Sequence, residues 1–313
     1  MSFSSRVKEE LAGQLSSARH CQIAELAAIL SLCGRIRIDE EDHYSIKITS
    51  ENENVAKKYF TLLKNAFNIR DDVFVRHNKW KETGTCSVTV REDGEARRIL
   101  QAVRLLNDAG EIEENLSPAG NLLLQRTCCK RAFLRGAFMA AGSISDPEKF
   151  YHFEISCASE ARAGQLRDLI NFFDMDGKII LRKSHYVVYV KEGDQIADLL
   201  KVMEAPVSLM EFENIRILKD KRNSVNRQVN CETANIHKTV SAAVKQIEDI
   251  RYIRDHMGLE ALPEALYDMA VLRLEQPEAT LKELGEALDP PVGKSGVNHR
   301  LRKLGQIAED LKV

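Results

Sequence analysis

The sequence has few of the features that mark disulfide-rich or metal-binding proteins. Its seven cysteines include no Cys-x-x-Cys pair, and their odd number in a chain of 313 residues predicts reduced thiols rather than a disulfide framework. Cys128 and Cys129 are adjacent, which is unfavourable for two ligands of one ion. We therefore predict no metal site and no cofactor.

Long apolar runs and an excess of one charge are also lacking. The first ten residues include Arg6, Lys8, Glu9 and Glu10, which leaves no apolar core for a signal peptide, and no later run is long enough to span a bilayer. We therefore expect a cytoplasmic protein with no membrane contact. The net charge of -2 gives no overall attraction to a polyanion, so a nucleic-acid partner has to be argued from local clusters.

An internal repeat organises the first two thirds of the chain. The stretch LAAILSLCG (26–34) recurs in outline as LRGAFMAAG (134–142), 108 residues later. An alternating strand pattern follows each copy, HYSIKIT in the first and FYHFEIS in the second. A helix, a pair of strands and another helix come next in both copies. This order predicts two αββαββα units in tandem, an α+β fold in which each sheet carries helices on one face.

The composition changes near Asn214, where a basic stretch begins and strand alternation ends. We place a domain boundary close to Lys221 and predict that the rest is helical. A long helix from Thr233 has apolar positions at helical spacing that we expect to face a core: Ile236, Val240, Val244, Ile247 and Ile250. The predicted domains are 1–115 and 116–220, one for each repeat, and 221–313 for the helical linker and C-terminal domain.

A helix-turn-helix pattern lies near the C-terminus. The segment TLKELGEAL begins with Thr280 as a predicted N-cap, and Glu283 completes a capping-box signature. After the turn PPVGK, a second helix has Ser295 as its predicted N-cap. No acidic residue occurs in residues 290–307, so this helix is locally positive. Its apolar positions, which we expect to be buried, are Val297, Leu301 and Leu304.

A positive second helix in such a motif enters the major groove of DNA. Arg and Lys bond guanine edges, Asn bonds adenine, and other basic groups hold phosphates. The alternative is an ordinary helical hairpin with a solvated charged face. We predict that double-stranded DNA contacts the following side chains: Thr280, Lys282, Lys294, Ser295, Asn298, His299, Arg302 and Lys303.

Both repeat helices resemble the LAGLIDADG motif of homing endonucleases, in which two such helices pack together at the centre of an αββαββα pair. The resemblance implies close packing between small residues, Gly136 and Ala140 against Ala27 and Ala28. In the nucleases, the residue before the terminal glycine is an acid that binds the divalent metal. Here those positions hold Cys33 and Ala141, and neither offers the hard oxygen ligand that magnesium requires.

This altered motif pair, the linker phrase NRQVNCETANIHKT (226–239) and the C-terminal motif together resemble the WhiA family of bacterial regulators along the whole chain. The resemblance implies a non-catalytic DNA-binding protein, a transcriptional regulator linked to sporulation, or to cell division and chromosome segregation. We expect a monomer associated with the nucleoid. RNA polymerase or another regulator is the candidate partner of the N-terminal domain.

Two alternatives remain open from the sequence. The chain could be a LAGLIDADG-type endonuclease with relocated acids such as Asp39 and Asp146, or its N-terminal unit could be a scaffold for protein or structured RNA. The linker's basic side chains are either phosphate contacts or a solvated hinge. They are Arg216, Lys219, Lys221, Arg222 and Arg227.

Overall fold

The computed structural model describes residues 1–69, 73–78, 84–106, 112 and 122–312. The chain divides into two compact units, Met1–Asp220 and Lys221–Val313. Among the described residues, no helix combines the length and apolar character needed to cross a membrane. The finer division into 1–115, 116–220 and 221–313 stays a prediction.

The first unit begins with a helix that is absent from the sequence prediction, α1 (Phe3–Gly13). The side chain of Ser2 caps it by accepting a hydrogen bond from the Ser5 backbone N–H. Phe3, Val7 and Leu11 lie four residues apart and are all buried, so one face of this short helix joins the core.

The two repeats follow, each in the order αββαββα, which confirms the predicted α+β fold. The first consists of α2 (Arg19–Cys33), β1 (Gly34–Ile38), β2 (Tyr44–Ser50), α3 (Glu53–Phe67), β3 (Val73–Asn78), β4 (Thr85–Val90) and α4 (Asp93–Ala102). The second consists of α5 (Thr127–Ala141), β5 (Gly142–Ile144), β6 (Phe153–Cys157), α6 (Glu160–Asn171), β7 (Lys178–Arg182), β8 (His185–Val190) and α7 (Gly193–Val202).

Each repeat forms a four-stranded antiparallel sheet. The strand orders are β1-β2-β4-β3 and β5-β6-β8-β7, so the two sheets have the same topology. Alternation along β2 buries Tyr44, Ile46 and Ile48, and β6 buries Phe153 and Ile155 in the same way. Because only one face of each sheet is apolar, helices cover that face and the core lies between the two layers.

The second unit is helical. Its elements are the distal part of α8 (Pro206–His256), which begins in the first unit, and α9 (Glu264–Glu275), α10 (Leu281–Glu286) and α11 (Lys294–Asp310). The helix start predicted at Thr233 is wrong, because α8 already begins at Pro206.

The predicted core-facing stripe on α8 is wrong for its N-terminal part. Ile236 is 63% exposed and Val240 is 55% exposed, whereas Ile250 is fully buried. Burial in this unit begins near Ile250 because only the last turns of α8 pack in the cluster that includes Leu259, Met269 and Leu301. Helical spacing identified the apolar face, but a partner element has to be present for that face to be buried.

Candidate nucleic-acid interface

Small residues line the contact between the two LAGLIDADG-like helices, α2 and α5. A Cβ atom placed on Gly136 would lie 2.5 Å from the backbone oxygen of Glu25 and 3.1 Å from Cβ of Ala28. No side chain larger than hydrogen fits there without moving α2, which confirms that Gly136 packs closely against Ala28. Both helices are buried on most of their surface, as helices at the centre of a domain require.

Four charged side chains cross this contact. Glu25 accepts two hydrogen bonds of 3.1 Å from the guanidinium of Arg135, and its carboxylate lies 3.2 Å from Nζ of Lys58. Arg135 also donates to Glu204 at 2.6 Å, and Lys58 donates to the backbone oxygens of Leu11 and Gln14. The side chains of Glu25 and Lys58 have no solvent exposure. The network therefore joins both repeats and α1 through three buried charges, Glu25, Lys58 and Arg135, and the partly exposed Glu204.

The C-terminal end of α2, where a LAGLIDADG nuclease holds a catalytic acid, carries a neutral thiol. Cys33 Sγ donates to the Ile29 carbonyl oxygen at 3.1 Å, and burial raises the pKa of this thiol to about 11. The nearby Ser31 hydroxyl donates to the Ala28 carbonyl oxygen at 2.9 Å. Both polar groups are thus satisfied within their own helix, and neither supplies an anionic oxygen for a hard metal ion.

Two cations replace acids at this end of the helix pair. Arg162, on α6, donates from Nη1 to the backbone oxygen of Ser31. Lys8, on α1, lies near Cys33 with Nζ 5.7 Å from the centroid of the Phe138 ring, and burial lowers the pKa of its ammonium group. Positive charge here opposes the approach of a divalent cation. Neither residue was predicted, because Lys8 lies on the unpredicted α1 and Arg162 on a helix with no recognisable motif.

The acids proposed for a relocated nuclease site belong to turns. Asp39 Oδ1 accepts hydrogen bonds from the backbone N–H groups of Glu41 and His43, and the bond from His43 lowers the pKa of the Asp39 carboxyl. Asp146 likewise accepts from the backbone of Glu148. Asp39 follows the five residues of β1, about 20 Å of extended chain beyond the end of α2. This position is unsuitable for metal binding at the helix ends.

In the second unit, α10 and its turn have the predicted capping geometry. Glu283 N donates to Thr280 Oγ1 at 3.3 Å, and Thr280 N donates to Glu283 Oε2 at 2.7 Å, which confirms the capping box. The chain then folds back so that Val292 N donates to the Gly285 carbonyl oxygen at 2.9 Å. A Cβ atom on Gly285 would collide with the backbone oxygen of Val292. A glycine is therefore needed where the turn crosses α10.

The second helix of the motif, α11, has one buried and one exposed face. The predicted burial of Val297, Leu301 and Leu304 is confirmed, and they pack with Leu284 of α10 and Met269 of α9. The opposite face carries exposed polar and basic side chains at i, i+1, i+4, i+5, i+8 and i+9 spacing. They are Lys294, Ser295, Asn298, His299, Arg302 and Lys303.

One predicted cap is wrong. The N-cap of α11 is Gly293 rather than Ser295, because the helix already begins at Lys294 and Ser295 lies inside its first turn. The first turn contains no acidic residue. Its backbone N–H groups and the Ser295 hydroxyl are thus arranged to meet an anion. The remaining predicted contacts, Thr280 and Lys282, are exposed on the preceding helix, where Lys282 lies 3.7 Å from Glu286.

The basic residues of the predicted linker have different environments. Arg216 forms ion pairs with Asp194 and Glu213, and Lys219 donates to the backbone oxygens of Pro147 and Lys149 at 3.2 Å. These two side chains are therefore engaged within the first unit and do not belong to a solvated hinge. The exposed members are Lys221, Arg222 and Arg227.

Three family models match consecutive parts of the chain. The WhiA N-terminal LAGLIDADG-like domain matches residues 19–106, the WhiA LAGLIDADG-like domain matches 130–222, and the WhiA C-terminal HTH domain matches 225–308. Together they cover both repeats, the long helix and the helix-turn-helix.

Similar proteins match this chain along its whole length. The chain is 53% identical to the "Probable cell division protein WhiA" of Lachnoclostridium phytofermentans over 100% of both chains. It is 48% identical to the protein of that name from Alkaliphilus oremlandii, over 100% of this chain and 98% of the relative. The crystal structure of full-length WhiA from Thermatoga maritima is similar with a TM-score of 0.59 and 26% identity, over 99% of each chain. The chain therefore belongs to the WhiA family.

Proposed function

We propose that this protein binds double-stranded DNA in a sequence-specific way through α11 and acts without catalysis as a regulator in cell division. One observation carries the proposal: the exposed face of α11 gathers Asn298, His299, Arg302 and Lys303 on a helix whose other face is fixed in a core. The same residues fall inside the match to the WhiA C-terminal HTH domain. The name of the two relatives, probable cell division protein WhiA, supports the assignment to cell division.

The face of α11 combines groups for base recognition with groups for phosphate contact. Arg302 and Asn298 are separated by one helical turn, so both reach the same stretch of major groove. Lys294 and Ser295 lie at the helix N-terminus, where backbone N–H groups and the helix dipole favour a phosphate. Lys303 extends the positive surface at the groove edge, where it holds the backbone rather than reading sequence.

Replacing Arg302 with alanine is expected to weaken specific DNA binding by about 1–3 kcal/mol and to relax the preference at one base position. The lost interaction is a bidentate hydrogen bond to a guanine edge. A gel-shift titration with the bound sequence and its single-base variants measures both effects.

Arg254→Ala is the matched control, because Arg254 is an exposed arginine of α8 in the same unit and is paired with Asp255 at 2.8 Å. It should leave affinity and sequence preference unchanged. If Arg302→Ala binds every site variant as the unchanged protein does, α11 does not read bases through this side chain.

The helix ends in the first unit support a non-catalytic role. Cys33 offers a neutral thiol, and Lys8 and Arg162 place positive charge where a nuclease binds its metal. A plasmid incubated with the full chain and magnesium should remain supercoiled. Linear or nicked product that disappears with Asp39→Asn and Asp146→Asn would instead support the relocated nuclease site.

The finer assignments stay proposals. They are transcriptional control, sporulation and chromosome segregation as processes, RNA polymerase or another regulator as a partner of the first unit, a monomeric state and association with the nucleoid in the cytoplasm. Pull-down with the full chain, with and without nuclease treatment, separates a protein partner from one held through nucleic acid.

A further inference from the structure

Four side chains that are suited to a soft or borderline metal ion converge at the start of the two central helices. They are His20 and Cys21 of α2 and Cys128 and Cys129 of α5, and one ligand atom from each lies within 4.8 Å of all the others. His20 Nδ1 is 3.2 Å from Cys129 Sγ and 3.3 Å from Cys21 Sγ. In a tetrahedral zinc site the ligand atoms are about 3.5–3.8 Å apart. The two contacts of His20 would lengthen by a few tenths of an ångström, and separations near the 4.8 Å limit would shorten by about 1 Å.

The repeat explains why the four meet. The offset of 108 residues that relates Leu26 to Leu134 also relates His20 to Cys128 and Cys21 to Cys129. Each helix therefore supplies two adjacent ligands from its first turn, and the close contact of α2 with α5 brings the pairs together. The sequence prediction of no zinc site considered only the adjacent pair Cys128 and Cys129. The fold brings two further ligands, His20 and Cys21, from the other repeat.

The surroundings favour a net negative complex. Neither α2 nor α5 has an N-cap side chain that bonds its backbone N–H groups, and neither has an acid in its first turn. Two uncapped helix N-termini thus point their positive dipole ends toward the cluster. A Zn²⁺ ion held by three thiolates and a neutral imidazole carries a charge of about -1, which these groups complement.

An ion also has a route into the cluster. Cys128 is exposed, whereas Cys21 and Cys129 are buried and His20 is half-buried. A cleft beside His20 and Cys129 is lined by Ala102, Leu122, Gln125 and Arg126, among others. Entry from the surface and burial of most ligands are both properties of sites that hold structural metal.

We propose that His20, Cys21, Cys128 and Cys129 bind one zinc ion and tie the two repeats together at the start of α2 and α5. The hydrated zinc ion releases its water ligands, and three Cys S–H groups lose their protons to solvent. Three Zn–S bonds and one Zn–N bond form, and no oxidation takes place. His20 binds through Nδ1 and carries its remaining proton on Nε2, so the Arg126 guanidinium, which lies 3.3 Å from Nε2, has to turn away from it.

The experiment uses the full chain, reduced and freed of metal with a chelator, then titrated with zinc chloride in competition with a chromophoric chelator. We expect one zinc per chain. Cys128→Ser and Cys129→Ser should each lower the zinc affinity at least about 100-fold. Substitution of residues that only hydrogen-bond to a metal ligand already lowers metal affinity about 10–100-fold, and loss of a ligand itself should lower it more. Because Cys128 is exposed, its substitution tests the site without disturbing the core.

Cys157→Ser and Cys231→Ser are the controls, since Cys157 is a buried thiol and Cys231 an exposed thiol, both outside the cluster. Cobalt(II) should produce thiolate-to-metal charge-transfer absorption in the original chain and both controls, but weakened absorption in Cys128→Ser. Binding well below one equivalent in the folded chain would overturn the proposal. So would equal zinc affinity in Cys128→Ser and the controls, or a cluster disulfide that forms whether or not zinc is present.

Discussion

Glu25→Gln is expected to lower the free energy of unfolding of the first unit by about 3–5 kcal/mol. The substitution keeps the shape of the side chain and removes only its charge. Lys58 and Arg135 would then remain as two buried cations, with the partly exposed Glu204 as the acid still paired with Arg135. Breaking a buried charge network by removing one partner leaves uncompensated charge away from water, which is the source of the large cost.

Urea unfolding followed by circular dichroism measures this change, and hydrogen exchange of α2 and α5 peptides shows whether the loss lies in the first unit. Glu53→Gln is the control, because Glu53 forms an exposed i,i+4 pair with Lys57 at 2.9 Å. Water screens an exposed pair of this kind, so its loss should change the unfolding free energy far less than the loss of Glu25. Equal effects of the two substitutions would show that the buried network does not hold the repeats together.

Gly285→Ala is expected to destabilise the second unit by about 3 kcal/mol, the upper part of the range for overpacking, and to reduce DNA binding with it. The added Cβ would meet the backbone oxygen of Val292, which cannot rotate away as the end of a flexible side chain could. The turn that is hydrogen-bonded to α10 through the Val292 N–H must therefore move. Because α11 begins at Lys294, two residues after Val292, its start moves with the turn.

Gly305→Ala provides the comparison on α11. A Cβ atom there would be 3.5 Å from Asp249 Oδ2, which is an ordinary contact, so we expect no loss and up to about 1 kcal/mol of gain from helix propensity. Thermal unfolding and gel-shift titration of both variants test the pair. Unchanged stability in Gly285→Ala would contradict the tight turn.

Much of the fold follows from patterns that are local in the sequence. The repeat of an apolar helix and an alternating strand predicted both αββαββα units, and the apolar spacing of Val297, Leu301 and Leu304 predicted the buried face of α11. The Thr280–Glu283 spacing predicted a capping box. These features depend on hydrogen bonds and periodicities within a few residues, so a single sequence contains the relevant information.

The features that could not be predicted depend on which elements meet. Ile236 has the spacing of a core residue but is exposed, because in the second unit only the last turns of α8 are buried. The cations Lys8 and Arg162 reach the end of α2 from separate helices. His20 and Cys129 are far apart in the chain and become neighbours only through the packing of α2 against α5. In the sequence, only the 108-residue offset between the repeats indicates that they occupy neighbouring positions at the start of equivalent helices.

The most direct test of the account is selection of bound sequences from a random duplex DNA library with the full chain. We expect a recurrent sequence motif among the bound duplexes. The same selection with a variant that carries both Asn298→Ala and Arg302→Ala should lose this motif while residual, salt-sensitive binding persists. Sequence recognition by α11 would be contradicted if the original chain selected no shared motif, or if the double variant selected the same motif as the original chain.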